Sequence, residues 1–132
     1  MRIHLDTDLG GDPDDACALA LLLGWPDITI TGITTTIDPG GWRAAYVAHC
    51  LELAGRQGIP VAAGAAVSST RRELAEPVIG DPRYWPATIR PRPSPPGAAL
   101  DCYRTASTTT PAWSPSGRTR ILRLSNCSAP AA

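Results

Sequence analysis

An unusually dense group of aspartates constrains this chain more than any other feature. Five carboxylates fall within residues 6–15, between a short apolar segment and an apolar run that ends at Leu23. Carboxylates this close raise one another's pKa and disfavour joint ionisation, so the arrangement is costly unless a cation lies among them. A hard cation with oxygen ligands has the matching chemistry. The stretch is therefore expected to form a cation site, with candidates Asp6, Asp8, Asp12, Asp14 and Asp15.

The surrounding pattern predicts a strand, a turn and a helix. Residues 2–7 alternate loosely up to a Gly-Gly pair, and residues 14–23 form an apolar run that Gly24 ends. With Asp12 as N-cap and Pro13 at the first helical position, capping alone explains Asp12 and Asp14. It does not explain Asp6 and Asp8. In an open α/β sheet these two would lie beyond the carboxyl end of a strand, where ligands bind.

The same alternation of elements continues to about residue 66. We expect a second strand over residues 28–33, a helix over 42–54 and a short strand over 59–64. Short connections between such elements imply an α/β fold with an open, mostly parallel sheet and flanking helices. Residues 77–96 are rich in proline and predict an extended loop.

The chain is therefore predicted to contain one structural region, residues 1–101, and an irregular tail. Residues 102–132 are rich in Ser, Thr, Arg, Ala and Pro. Apart from a short apolar run near residue 122 they show neither the helical nor the strand period, so we expect them to be poorly packed.

Two known acidic motifs match this stretch incompletely. A calcium EF-hand loop would need a bidentate Glu where Cys17 stands. A haloacid-dehalogenase-like phosphatase has a D-x-D pair after a strand, with the first Asp as nucleophile. In this chain that alternative would use Asp6 as nucleophile and Asp8 to bind Mg²⁺, but Gly10 stands where Thr or Val is usual.

A closer resemblance is to the inosine–uridine-preferring nucleoside hydrolase family. Its N-terminal signature D-x-D-x-G-x-D-D-A-x-A-L resembles residues 6–19, which read D-T-D-L-G-G-D-P-D-D-A-C-A-L with Asp12 and Pro13 as two extra residues. The family's I-P-V-x-x-G strand is similar to residues 59–64. The resemblance covers roughly residues 2–100 and implies an incomplete, Rossmann-like N-terminal part of a nucleoside hydrolase fold.

The resemblance implies a calcium site in the acidic stretch. Asp8 would bind Ca²⁺ and act as general base on the attacking water, and Asp15 would bind the same ion. Asp6 and Asp12 would orient these groups. Hydrolysis of an N-glycosidic bond passes through an oxocarbenium-like ribosyl cation, which carboxylates stabilise.

The resemblance also implies contacts to the ribose. Asp14 would hydrogen-bond the ribose hydroxyls, although the two extra residues leave Asp12 as a second candidate for this role. Asp38 stands in the turn where the family has a ribose-binding Asn, and the alternative is an ordinary turn residue before Pro39.

Family members are considerably longer than these 132 residues. The resemblance places their remaining calcium-binding Asp and the acid His that protonates the leaving group in a part without counterpart here. The expected reaction is hydrolysis of ribonucleosides to ribose and free base. A non-catalytic fragment with at most weak cation binding is the alternative for this short chain.

The tail suggests a hypothesis about the gene. The family's G-P-x-T-N motif does not occur in this chain. Residues 114–121, back-translated with permitted codons and read one base over, can encode A-I-G-P-Y-T-N. The hypothesis is that the tail is out of frame.

Composition excludes some partners. Lys+Arg and Asp+Glu number 12 each, which gives no strong field for nucleic acid or a membrane surface. The first residues lead directly into a strand and lack a signal-like apolar region, so a cytoplasmic location is expected. The expected partner is a small nucleoside, and longer relatives are expected to be homo-oligomers.

Overall fold

The computed structural model describes residues 1–67, 74–108 and 120–124. Strands and helices alternate along these residues, and a single 3₁₀ turn, Pro39–Gly41, precedes the second helix. The strands are β1 (Arg2–Thr7), β2 (Thr29–Thr35), β3 (Val61–Ala62) and β4 (Arg120–Leu124). The helices are α1 (Asp14–Gly24), α2 (Trp42–Leu53) and α3 (Ala98–Thr108).

The strands form one open sheet in the order β3-β2-β1-β4, and every neighbouring pair is parallel. The predicted open α/β sheet is therefore confirmed. Because β2 and β4 lie on opposite sides of β1, the winding of the chain reverses between β1 and β4. Such a switch point opens a crevice beyond the carboxyl ends of the strands. The acidic stretch begins at this edge.

The two faces of the sheet have different chemistry. Leu5 and Ile33 point to the face that α1 and α2 cover, where they form the hydrophobic core with Leu19, Val47 and Leu51. The helix α3 lies on the opposite face and packs against His4 and Gly32. Polar side chains of the sheet therefore accumulate under α3.

A β-bulge in β2 produces this separation. Ile3 pairs with Ile30, but the next residue, His4, pairs with Gly32, which leaves Thr31 as the extra residue. The Thr31 hydroxyl donates to the carbonyl of Ile3 at 2.9 Å. Bulges re-aim side chains in this way.

The predicted first two strands and first two helices are confirmed within one or two residues, whereas β3 is shorter than predicted. The predicted cap by Asp12 is wrong. The carbonyl of Pro13 accepts the first bond of α1, from the backbone N–H of Cys17 at 2.9 Å, so Pro13 occupies the N-cap position.

The segment after residue 101 differs from the irregular structure that we expected. The helix α3 continues to Thr108, and β4 pairs with β1. Ala106 is buried in α3, and a helix face made of such small residues gives a weak periodic signal. Residues 109–119 and 125–132 lie outside the described residues, as does most of the stretch on which the frame hypothesis rests. The division of the chain after residue 101 stays a prediction.

Within residues 1–67, 74–108 and 120–124, no helix has the length and apolar character needed to cross a membrane.

The close approach of β2 and the residues after β3 gives a first prediction. A Cβ at Gly64 would lie 1.8 Å from the carbonyl oxygen of Thr35, whereas a Cβ at Gly58 would meet nothing within 4 Å. Gly64→Ala must push the backbone apart, so we expect it to lower the free energy of unfolding by about 2–4 kcal/mol. Gly58→Ala should change it by less than about 0.5 kcal/mol. Urea unfolding followed by circular dichroism measures both, and equal stabilities would contradict the packing described.

Candidate functional site

A glycine turn brings the ends of the acidic stretch together. Gly10 has a φ of +133°, which side chains rarely adopt. A Cβ at this position would lie 2.8 Å from the ring of Tyr46 on α2. The chain therefore turns tightly against α2 and leads back into α1. This turn places Asp8, after β1, beside Asp15 in the first turn of α1.

Asp8 and Asp15 form a close carboxylate pair. Asp15 is 5% exposed, and its Oδ1 accepts a hydrogen bond from the Thr7 hydroxyl at 2.7 Å. Burial raises the pKa of Asp15 to about 6, the Thr7 bond opposes this rise, and the adjacent Asp8 and Asp14 add to it. The Oδ1 atom of Asp8 is buried and has no hydrogen-bond partner among the described residues.

This pair fits a hard cation. An unpartnered buried carboxylate oxygen beside a carboxylate whose ionisation is disfavoured is the arrangement that a bound cation stabilises. In the part of the chain that the structure describes, no three His, Cys, Asp or Glu side chains come together as a metal site. The pair alone would supply only part of a coordination shell for Ca²⁺, which takes about six to eight oxygens.

Asp6 points to the other face of the sheet. Its Oδ1 accepts from the Thr34 hydroxyl at 2.7 Å and its Oδ2 from the Thr36 hydroxyl at 3.2 Å. Neither threonine was predicted as a site residue from the sequence, although the run of threonines at the end of the second strand was a visible signal. These bonds fix the Asp6 carboxylate at the end of β1.

The remaining predicted acids of the stretch lie at its surface. Asp12 and Asp14 are both exposed. Asp14 is close enough to Asp15 to contribute to the raised pKa of that carboxyl. The structure thus brings Asp8 and Asp15 together and leaves Asp14 at their solvent side.

Asp38 lies 3% exposed beneath the start of α2. Its carboxylate accepts from the Thr35 hydroxyl at 2.8 Å and from the backbone N–H groups of Arg43 and Ala44, both at 2.9 Å. Asp38 thus satisfies two free N–H groups in the first turn of α2, as a capping side chain does, although the N-cap residue itself is Gly41. The preceding residue, Ile37, has a φ of +46°, which is strained for a β-branched side chain. The ribose contact of Asp38 stays a prediction.

Arg43 is a cation that the sequence analysis missed. It lies in the first turn of α2, where the helix dipole disfavours positive charge. Its Nη1 donates to the carbonyl of Leu9 at 3.5 Å. A guanidinium in contact with the backbone of the acidic stretch offsets part of the negative charge there.

Two cavities open along the carboxyl edge of the sheet. One, of about 480 Å³, lies between the residues that follow β2 and β3 and the beginning of α3, and Asp38 and Leu100 line it. The other, of about 290 Å³, is lined by Asp6, Thr34 and Tyr103 among others. A cavity of about 500 Å³ between α2 and residues 57–61 and 88–92 is larger but contains none of the acidic stretch. The position of the acidic residues therefore favours a ligand site at the carboxyl edge of the sheet.

The sequence between residues 3 and 111 matches the family model described as inosine-uridine preferring nucleoside hydrolase. The chain belongs to this family. The family assignment made from the acidic signature is thus confirmed, and it favours a nucleoside hydrolase over the phosphatase and EF-hand alternatives.

Individual relatives agree with this assignment. A plant nucleoside hydrolase, the PpNRh1 enzyme, superposes with a TM-score of 0.68 at 27% identity, over 93% of this chain and 39% of that one. An uncharacterized protein of Schizosaccharomyces pombe is 31% identical over 96 residues, which are 71% of this chain and 30% of that protein. The chain therefore spans about a third of the length of these relatives.

The carboxylate pair gives a prediction for the metal-free protein. The folded pKa of Asp15 is about 6 and the ordinary value is 3.8, so Asp15 binds its proton more tightly when the chain is folded. Its contribution to stability is therefore greatest below pH 4 and falls as the pH rises to about 6. At pH 7, Asp15→Asn should raise the free energy of unfolding by about 1–2 kcal/mol in the presence of a chelator.

The matched control is Asp27→Asn, which removes an exposed carboxylate far from the pair. Urea unfolding at pH 4, 5, 6 and 7 measures both variants. A destabilised Asp15→Asn protein at pH 7 would show that the fold does not disfavour the ionised form of Asp15.

The cap formed by Asp38 gives a separate prediction. Asp38→Ala leaves two backbone N–H groups of α2 and the Thr35 hydroxyl without their acceptor, so we expect a loss of about 2–4 kcal/mol. Asp81→Ala removes an exposed ion pair with Arg83, which solvent screens, so it should lower the melting temperature much less than Asp38→Ala does. Thermal unfolding of the two variants tests this prediction. Similar melting temperatures would argue against a capping role for Asp38.

Proposed function

We propose that the chain is the N-terminal part of a hydrolase that cleaves the N-glycosidic bond of ribonucleosides to give ribose and free base. One observation carries this proposal. In a chain of the nucleoside hydrolase family, Asp8 and Asp15 lie side by side at the carboxyl end of β1, and Asp8 has a buried oxygen without a partner among the described residues.

We assign the cation site to this pair, with Ca²⁺ as the ion. Bound there, Ca²⁺ would lower the pKa of a nearby water molecule and neutralise the charge of the two carboxylates. Asp8 then takes the proton of the attacking water as general base, because its carboxylate is the one with an oxygen unused by the fold. Asp15 stays fixed by Thr7.

The carboxylates would also stabilise the transition state for breaking the glycosidic bond. As the glycosidic bond breaks, positive charge develops on the ribosyl ring, and fixed negative charge nearby stabilises it. We assign the contact with the ribose hydroxyls to Asp14, because it is exposed beside the pair. Asp6 and Asp12 keep the proposed orienting roles. For Asp38 the contacts favour a positioning role at the start of α2 over a direct ribose contact.

The setting of the proposed reaction is ribonucleoside catabolism in the cytoplasm. A small nucleoside is the proposed substrate, and cavities of about 480 and 290 Å³ at the carboxyl edge offer space for it. The homo-oligomeric state of longer relatives stays a prediction.

Calorimetric titration with Ca²⁺ tests the site. We expect saturable binding with a Kd on the order of 0.1–1 mM, because two carboxylates leave several positions to other oxygens. Binding should be lost in the Asp8→Asn, Asp15→Asn double variant. An Asp27→Asn, Asp81→Asn double variant, which removes the same charge from exposed positions, should bind like the original chain. Absence of binding in the original chain would sink the proposed site.

Chromatographic detection of products tests the reaction. With inosine or uridine and Ca²⁺ we expect free base, and none with Asp8→Asn. Release of phosphate from a phosphomonoester in the presence of Mg²⁺ would instead support the phosphatase alternative. Calcium binding without base release would identify the chain as a non-catalytic part of the hydrolase.

A further inference from the structure

A buried histidine lies behind the acidic site, in the lining of the cavity of about 290 Å³, and the proposed chemistry gives it no role. His4, in the middle of β1, is 2% exposed and faces α3, where its ring meets the ring of Tyr103 edge-on at 5.5 Å. The bulge in β2 places Gly32 opposite. A Cβ at Gly32 would lie 3.3 Å from Nδ1 of His4 and 3.0 Å from Sγ of Cys102. The absence of a side chain at Gly32 thus leaves room for the imidazole of His4. An aliphatic side chain in the place of His4 would avoid the free-energy cost of burying a polar group.

Hydrogen-bond directions fix the state of this ring. The Thr34 hydroxyl has one hydrogen, which it donates to Oδ1 of Asp6 at 2.7 Å. Nε2 of His4 lies 3.2 Å from the same hydroxyl oxygen. Since that oxygen can only accept a further bond, Nε2 must carry the hydrogen.

The other ring nitrogen supports a neutral imidazole. Nδ1 is buried and has no hydrogen-bond partner among the described residues. A second N–H at this position would be buried without an acceptor, which is costly. Burial lowers the pKa of His4, although the charge of Asp6 acts in the opposite direction.

We propose that His4 is a positioning residue of the acidic site, which holds the Thr34 hydroxyl so that its hydrogen points at Asp6 and the Asp6 carboxylate keeps one orientation. The bond from Nε2 removes the rotational freedom of the hydroxyl, and the hydroxyl then fixes a carboxylate only two residues before Asp8. The inference rests on the proposed function, in which Asp6 orients the groups that hold the cation.

Four variants separate positioning from packing. Thr34→Val removes the hydroxyl and keeps the shape, and His4→Leu removes the donor. His4→Gln keeps an N–H near the position of Nε2. His49→Gln is the control, because His49 lies on α2 in a different cavity. Circular dichroism establishes the folded fraction of each variant before any binding is compared.

The first readout is the Kd for Ca²⁺. Outer partners of metal-binding groups typically change affinity about 10–100-fold, so we expect about tenfold weaker binding for Thr34→Val and about threefold to tenfold for His4→Leu. A His4→Leu, Thr34→Val double variant should bind Ca²⁺ no more weakly than Thr34→Val alone, because both residues act through one hydroxyl. His4→Gln and His49→Gln should bind like the original chain. Additive losses, or no recovery with Gln, would overturn the inference.

The second readout needs no bound metal. Long-range ¹H–¹⁵N spectra at pH 7 should show His4 as the neutral Nε2–H tautomer, with the His49→Gln variant providing the assignment. The ¹³C shift of the Asp6 carboxyl should move in Thr34→Val and His4→Leu but not in His4→Gln. The Nδ1–H tautomer, an imidazolium, or an unmoved Asp6 signal would each contradict the proposal.

The two readouts distinguish two kinds of failure. If the original chain binds no Ca²⁺, the proposed cation site fails, and the spectra alone decide whether His4 orients Asp6. If Ca²⁺ binds and the spectra or the double variant contradict the scheme, the cation site stands and the role of His4 is refuted.

Discussion

Burial of the Asp15 carboxylate beside Asp8 is the constraint on which the end of β1 depends, because burial and the neighbouring charge both disfavour its ionisation. The two carboxylates come from different elements, and the turn at Gly10, packed against Tyr46 in a conformation open to glycine, brings them together. The Thr7 hydroxyl offsets part of the cost at Asp15. Local rules of stability are broken here while the core elsewhere obeys them, which is typical of functional sites.

The sheet separates stability from chemistry by using its two faces differently. Leu5 and Ile33 stabilise the fold against α1 and α2, while His4 and Asp6 alternate with Leu5 on β1 and face α3. The bulge at Thr31 makes this possible in β2. Without the extra residue, the residues after it would face the opposite sides, and Thr34 would point into the core instead of at Asp6.

Sequence reasoning could predict those parts of the structure that depend on neighbours in the chain. The strand, glycine turn and helix around the acidic stretch follow from local pattern, and so does the parallel sheet. The bonds of Asp6 to Thr34 and of Thr34 to His4 join residues 28 and 30 positions apart, so no local pattern shows them. The alternation of polar and apolar residues along a strand also does not show where an extra residue forms a bulge, as in β2. Asp38 was visible as a turn residue, but its cap depends on how β2 meets α2.

Orientation and affinity at this site have different sources. Asp8 and Asp15 together offer at most about four oxygens, fewer than the six to eight that Ca²⁺ usually takes. The described residues contain no third acid or histidine in position to join them. The affinity for Ca²⁺ must then depend on oxygens from backbone carbonyls, from water or from residues outside the described ones. The orientation of the pair is already set in part by the Thr7 hydroxyl and the Gly10 turn, and the proposed role of Asp6 would add to these supports. Changes within these supports should therefore disturb the geometry of the site even where the two carboxylates themselves are retained.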